Sequence, residues 1–348
     1  MLNTIDNEAL SNIKSVIIWG YPLHTHTLSY VHAAWFKVFS IYFKKDTHWF
    51  DDNNYPKDFN YENCMFITEG YCDNNIPVVA SSIYFVHDAI HPEKYINKGA
   101  RLIEIRFNVE EIHDINNNFD LNDGTHLNII NLSSYTKYEK LTSNKDIDSA
   151  MRNNIITQMN YECVYLYWAT DLLPEEFNYE DIYLNREKEI FWIASPRLTP
   201  NYLKFVEICN KNNIKWYTSN PWTNPLPFEV TREYIKKSYL CPDFRPIGEQ
   251  RDIDRFGIKN GQNHLAIGLI PCRIFKIISY GQLCITDSLA VKKLMGDHVV
   301  YDSDMEKLYL MGIKERLNYD KIKSAMKYVQ ENHTYVNRAI DLIKAISM

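Results

Sequence analysis

The chain has 348 residues, a net charge of −6 from 38 Lys+Arg against 44 Asp+Glu, 45% hydrophobic and 24% charged residues. That length suits two domains better than one core. The acidic balance excludes the basic excess of a general nucleic-acid binder, so no nucleic-acid partner is expected. Seven Cys without a C-x-x-C pair are expected as free thiols in a reducing compartment. No N-terminal apolar core of a signal peptide and no bilayer-length apolar run is found, so a cytoplasmic location without a transmembrane segment is expected.

The first strong element is Ser15-Val16-Ile17-Ile18-Trp19, a buried strand closed by Gly20. A helix is predicted over about Leu28 to Phe43, then strands at Thr47–Phe50, Cys64–Thr68, Ile83–His87, Arg101–Phe107 and Cys163–Tyr167. Short helical pieces are predicted at Val109–Ile115 and Leu172–Phe177. A polar stretch, Asn178–Lys188, marks the passage to a second series. That series holds strands at Ile190–Ala194, Ile214–Tyr217, Leu240–Phe244, Leu283–Thr286 and Val299–Tyr301. Helices are predicted at Tyr202–Asn210, Phe228–Tyr239 and from Leu289, with two more, Tyr319–Glu331 and His333–Ile346, closing the chain. Strands alternating with helices define an α/β class with parallel sheets. The reading gives two Rossmann-like domains facing a cleft: 1–180, 181–318, and C-terminal helices at 319–348 placed to pack back on the first domain.

The segment Ile270 to Asp287 reads as a short helix, a glycine stop and a buried strand ending in an acid. Pro271 suits a helix start and Gly281 the left-handed residue past a helix end. Arg273 and Lys276, three apart, share a face near the helix start, where free N–H groups and the dipole already favour anions. The flanking Ile274, Phe275, Ile277 and Ile278 imply a packed helix, and cations on a packed helix need an anion or an acid partner. A diphosphate fits, and an internal acid fits as well.

Other candidates sit at strand ends. Gly20-Tyr21-Pro22-Leu23-His24-Thr25-His26-Thr27 lies where a Rossmann glycine loop would be, but lacks G-x-G-x-x-G. It offers His24 and His26 as general bases and Tyr21, Thr25 and Thr27 as acceptor contacts; helix capping by a threonine explains the loop equally. Glu69 closes another strand as a further base candidate or a turn residue. Asp171 is a similar site candidate or, the favoured reading, the cap of the helical piece after it. His87-x-x-x-His91 has the spacing of a zinc helix, but Pro92 disfavours the geometry and the glutamate of H-E-x-x-H is missing. Asp302-Ser303-Asp304 reads as a metal-type D-x-D or as a helix cap. No P-loop and no G-x-S-x-G elbow occurs.

Arg273-x-Phe275-x-x-x-x-x-Gly281, followed by an apolar strand and Asp287, resembles the donor helix of GT-B glycosyltransferases. It is most similar to the spore-maturation-type "group 1" transferases, whose pattern is R-x-F-E-x-x-A-x-G. Trp19-Gly20-Tyr21-Pro22 with His24-Thr25-His26-Thr27 resembles other members of this group. The resemblance implies an N-terminal acceptor domain, a C-terminal nucleotide-sugar domain, and metal-independent transfer from a UDP- or GDP-linked sugar to a hydroxyl of a glycan or small acceptor, with no cofactor. Arg273 would contact the diphosphate, with Lys276, Tyr280 and Asp287 as further donor contacts. Lys276 departs from the family, which has a glutamate toward the ribose there. A nucleotide-sugar epimerase and a non-catalytic carbohydrate-binding protein remain as alternatives.

Overall fold

The computed structural model describes residues 4–23, 27–106, 136–141, 161–184, 186–193, 200–219, 224–244 and 270–347. The predicted helix at Val109–Ile115 lies outside them. The described residues form two compact units. The first combines the residues up to Arg106 with 136–141, 161–167 and Tyr335–Ser347; the second comprises the described residues of Trp168–Thr334. The observed class is the expected one: α/β, built on parallel strands.

The first unit opens with a helix, Thr4–Asn12, and is organised by β1 (Val16–Trp19), every residue of which is buried. Such an uninterrupted apolar run suits a strand covered on both faces, as parallel sheets require. It lies between β2 (Thr47–Phe50) and β3 (Met65–Glu69), both parallel to it. The sheet continues through β4 (Ile83–His87) and β5 (Arg101–Arg106). Its edge strand is β6 (Thr136–Leu141), paired antiparallel with β7 (Tyr161–Leu166). The full order is β2-β1-β3-β4-β5-β7-β6. Because the chain leaves β1 to both sides, the strand order reverses between β1 and β3. In open α/β sheets that switch point, beyond the strand C-termini, is where a ligand crevice forms.

One face of the sheet buries Ile17, Trp19, Phe66, Tyr84, Val86 and Leu102. The Thr27–Lys37 helix packs on β1 and β2, and the C-terminal helix, Tyr335–Ser347, packs on that helix and on β7. Trp35 meets Tyr335 edge-on at 4.9 Å. The predicted single helix to Phe43 is instead an α-helix to Lys37 followed by a π-helical turn, Val38–Tyr42. Arg338, on the C-terminal helix, is fully buried and donates from Nε to the Tyr167 carbonyl at 2.8 Å.

The far end of the C-terminal helix is held by Arg101. Its Nη1 and Nη2 donate to the carbonyls of Ile346 (2.8 Å) and Ala345 (3.0 Å), acceptors that a helix end leaves unsatisfied. Its Nε pairs with Glu162 at 2.6 Å. Arg101→Ala is expected to cost about 1–3 kcal/mol and to speed amide exchange in the last turn of this helix while leaving β1 protected.

The second unit holds a parallel pair, β8 (Glu189–Ile193) and β9 (Lys215–Ser219), and a parallel three-stranded sheet, β10 (Cys241–Asp243), β11 (Cys284–Thr286) and β12 (Val300–Tyr301). The Tyr239 N–H donates to the Glu189 carbonyl at 2.8 Å and ties β8 to the approach of β10. Helices Pro200–Lys211, Cys272–Ser279 and Leu289–Met295 lie between β8 and β9, β10 and β11, and β11 and β12 respectively. Met305–Glu315 and Tyr319–Asn332 follow. Among the described residues no helix is long and apolar enough to cross a membrane, and Cys64, Cys72, Cys209, Cys241, Cys272 and Cys284 are unbridged.

Candidate functional site

The strongest cluster of charge is built on the Cys272–Ser279 helix of the second unit. Pro271 stands at the N-cap with extended backbone rather than inside the first turn. Gly281 follows the helix with φ +83°, the left-handed residue the sequence implies. Ile274, Phe275, Ile277 and Ile278 are buried, so the helix is fixed by packing and presents Arg273 and Lys276 on its remaining face.

Arg273 is held from two sides. Its Nη1 lies 3.5 Å from Oδ1 of Asp243, the buried last residue of β10. Its guanidinium sits 4.7 Å from the ring centroid of Trp192 on β8. The acid and the indole together hold the guanidinium, one by charge and the other by a cation–π contact. The helix thus has the internal acid partner its packing requires, and a quarter of the Arg273 side chain stays exposed (24%).

One turn on, Lys276 is half-buried. Burial lowers its pKa below the ordinary 10.5; Cys272 and Asp171 oppose this, and Arg273 and Arg232 add to it. One turn further, the Tyr280 hydroxyl donates to Asp171 Oδ1 at 2.6 Å. Burial, then Asp171, hold that phenol well above its usual range. Asp171 Oδ2 accepts from Arg232 Nη2 at 3.2 Å, and the Arg232 guanidinium lies 5.1 Å from the Tyr280 ring centroid. Burial alone would lower the Arg232 pKa, but Tyr280 and Asp171 raise it above its ordinary value. Asp171 is therefore not the helix cap expected from sequence. Leu173 is the N-cap of the short turn Pro174–Glu176, and the Asp171 carboxylate is spent on Arg232 and Tyr280.

Asp287 is buried just past β11, where it accepts from Asn201 Nδ2 at 2.8 Å. The Asp302-Ser303-Asp304 motif resolves as a cap: Asp304 accepts from the N–H groups of Glu306 (2.9 Å) and Lys307 (3.1 Å). His91 pairs with Glu93 at 3.2 Å. Among the described residues no group of three or more His, Cys, Asp or Glu is placed to hold a metal ion.

In the first unit, Tyr21 and Glu69 lie at the switch-point end of the sheet. Glu69 ends β3, is buried, and stands in register with His87 of β4. His87 is held well below its ordinary pKa by burial and by His32, against the pull of Glu104. Tyr21 stacks on His32 at 5.8 Å. Gly20 has φ +138°, and a Cβ there would stand 2.5 Å from both His32 Cε1 and Cys72 Sγ, so only glycine lets β1 end against these groups. His24, Thr25 and His26 lie outside the described residues, as does the side chain of Thr27.

Sequence reasoning missed Asp243, Trp192 and Arg232. Asp243 carried a signal, since it is an acid ending a buried strand. Arg232 carried none, being one of several cations on an amphipathic helix, Phe228–Lys237.

No protein-family model and no curated protein sequence matches the chain. Solved structures similar to it include an alpha-glucosyltransferase in complex with UDP and a 13-mer DNA containing a central A:G mismatch, with a TM-score of 0.48, 9% identity, and coverage of 95% of this chain and 99% of that one. An alpha-glucosyltransferase in complex with UDP and a 13-mer DNA containing a HMU base has a TM-score of 0.49, 9% identity, and coverage of 96% and 99%. A third, alpha-glucosyltransferase in complex with UDP, has a TM-score of 0.49, 9% identity, and coverage of 95% and 99%. The expectation of no nucleic-acid partner is corrected by the first two, which hold DNA. The physical reason is that a net charge of −6 is an average over the whole chain and excludes no local surface.

Proposed function

We propose that this protein is a GT-B glycosyltransferase that moves a sugar from a UDP- or GDP-linked donor to a hydroxyl of a glycan or small acceptor. Its motif likeness points to the spore-maturation-type "group 1" branch. The observation that carries the reading is Arg273, a guanidinium fixed by Asp243 and Trp192 at the start of a packed helix, with Lys276 one turn on. A diphosphate is the anion suited to this pair, because its oxygens accept from the guanidinium fork, the ammonium and the helix N–H groups together.

In the reaction, the acceptor oxygen forms a bond to the anomeric carbon and the bond from that carbon to the donor phosphate oxygen breaks. The electron pair leaves with the nucleoside diphosphate. Arg273 and Lys276 neutralise the growing charge there, so the proposed chemistry runs without a metal or cofactor. His24, His26 or Glu69 takes the acceptor proton if configuration inverts, and Tyr21, Thr25 and Thr27 are acceptor contacts in this reading. Tyr280 and Asp287 belong to the donor side.

The test is thermal unfolding of the full chain with UDP, GDP, CMP, dTDP and their sugars, with and without EDTA. Binding to the folded state alone stabilises by RT ln(1 + [L]/Kd), about 2.7 kcal/mol at a hundredfold excess. An EDTA-insensitive shift with one nucleotide supports the reading, and no shift with any of them removes it. Conversion of a nucleotide sugar without acceptor would instead indicate an epimerase.

The lowered Lys276 pKa gives a pH dependence with a defined sign. A bound diphosphate favours the ammonium, so it raises the Lys276 pKa from its lowered value in the empty site. The contribution to affinity is full below the empty-site pKa and is lost as pH rises through the bound-site pKa. Nucleoside diphosphate affinity measured calorimetrically is expected to fall on the alkaline side. Lys276→Arg, which stays charged, is expected to flatten that limb.

A further inference from the structure

Around the helix, three cations, Arg232, Arg273 and Lys276, face two carboxylates. Asp243 serves Arg273 from the end of β10. Asp171 serves the other side: it is paired with Arg232 at 3.2 Å, held by the Tyr280 hydroxyl at 2.6 Å, and within electrostatic reach of Lys276. Its side chain is largely buried, 12% exposed against 34% for Arg232. A carboxylate fixed by a phenol and a guanidinium has the same donor preferences as a phosphate oxygen, and it engages the cations a phosphate ligand would draw on.

We propose that Asp171 is a built-in counter-anion of the donor site, which competes with the diphosphate for Arg232 and Lys276, and that Arg232 is the site's third diphosphate-directed cation. The inference rests on the nucleotide-sugar reading above. It gives Asp171 a function beyond packing. By opposing the diphosphate it weakens the hold on the nucleoside diphosphate product, whose departure must follow each transfer. Arg232 gains a partner when the site is empty and yields part of it when the site is filled. Tyr280 keeps the carboxylate from following the cation.

The test uses calorimetric titration of the full chain with UDP, GDP and inorganic pyrophosphate, for wild type, Asp171→Asn, Arg232→Gln and the double variant. Asparagine keeps the shape and its Oδ1 can still accept from Tyr280, while its amide nitrogen, a donor, then faces Arg232, so Asp171→Asn removes both the charge and the bond that holds Arg232. It is expected to bind about tenfold tighter, the size of one pKa unit of charge interaction. Arg232→Gln is expected to bind about tenfold more weakly. The double variant, with the charge balance restored, is expected to lie within about threefold of wild type. A structural role predicts the opposite, with the double variant weaker than either single one. If Asp171→Asn does not fold, the double variant, which leaves neither charge uncompensated, decides alone: affinity near wild type supports the proposal, and affinity at or below that of Arg232→Gln overturns it. Wild-type binding with no gain in a folded Asp171→Asn removes this proposal and leaves the donor reading standing. No binding by wild type or by any variant removes both.

Discussion

Arg273→Ala is expected to weaken nucleoside diphosphate binding by about ten- to a hundredfold or more. Each charge-assisted hydrogen bond contributes about 1.5–3 kcal/mol, and about 1.4 kcal/mol is tenfold in affinity. The guanidinium fork can make more than one such bond to a diphosphate, and alanine makes none. The substitution also affects stability. Asp243 is fully buried, its second oxygen accepts from Thr286 Oγ1 at 3.4 Å, and it is paired with Arg273. Removing one member of a buried pair costs about 3–5 kcal/mol, because the other charge is left in a poorly solvating interior.

The two effects separate in the double variant Arg273→Ala, Asp243→Asn. Neutralising the acid is expected to restore most of the lost melting temperature without restoring binding. Arg273→Lys keeps the charge but loses the fork and the guanidinium's contact with the Trp192 ring, so it is expected to fall between wild type and alanine in affinity. Unchanged affinity in a folded Arg273→Ala would remove the diphosphate from this helix. The motif would then be a structural clamp between Trp192 and Asp243.

What the sequence revealed follows from how local each signal was. Val16–Trp19 and Met65–Glu69 are buried throughout, and the apolar runs Val16–Trp19 and Cys64-Met65-Phe66-Ile67 state their burial by themselves. The Arg273 helix was legible because its limits and its charges all lie within one short segment. Its partners were not, because parallel pairing brings together distant segments. Asp171 and Tyr280 are 109 positions apart, and Arg232 reaches Asp171 across 61. The edge strand Thr136–Leu141 was missed for a different reason: T-K-Y-E-K-L has no apolar run in its sequence to betray it. The Met305–Glu315 helix was missed because its apolar residues do not keep to one face. Leu310 is 65% exposed, while Gly312 is buried against Ile285 and Leu240. Its cap, Asp304, was in view, and the cap was the better guide to the helix than the helix's own pattern.

Gly70→Ala is expected to be the most damaging small substitution in the first unit. Gly70 follows Glu69 at the end of β3, and its N–H donates to the His87 carbonyl at 2.8 Å, the last rung between β3 and β4. An added Cβ would fall well inside van der Waals contact of the Asp88 carbonyl oxygen and lie 2.7 Å from the Ile90 N–H. Both obstacles are backbone, and backbone cannot rotate away as a side chain can. The methyl group must therefore push the β3 and β4 ends apart, an overpacking that costs about 3 kcal/mol. For a unit of this size that is a fall of roughly 6–12 °C in melting temperature. The functional consequence is local, because Glu69 and His87 are the residues adjoining the displaced rung. Gly99→Ala is the matching control. Gly99 has φ +71°, but the nearest atom to an added Cβ is Ala80 Cβ at 3.8 Å. Only the left-handed backbone is penalised there, at about 1–2 kcal/mol. If Glu69 takes part in transfer, Gly70→Ala should lower kcat beyond what its stability loss explains at a temperature where it is folded. Gly99→Ala should leave kcat unchanged. Equal turnover in both variants would assign the β3 end to folding alone.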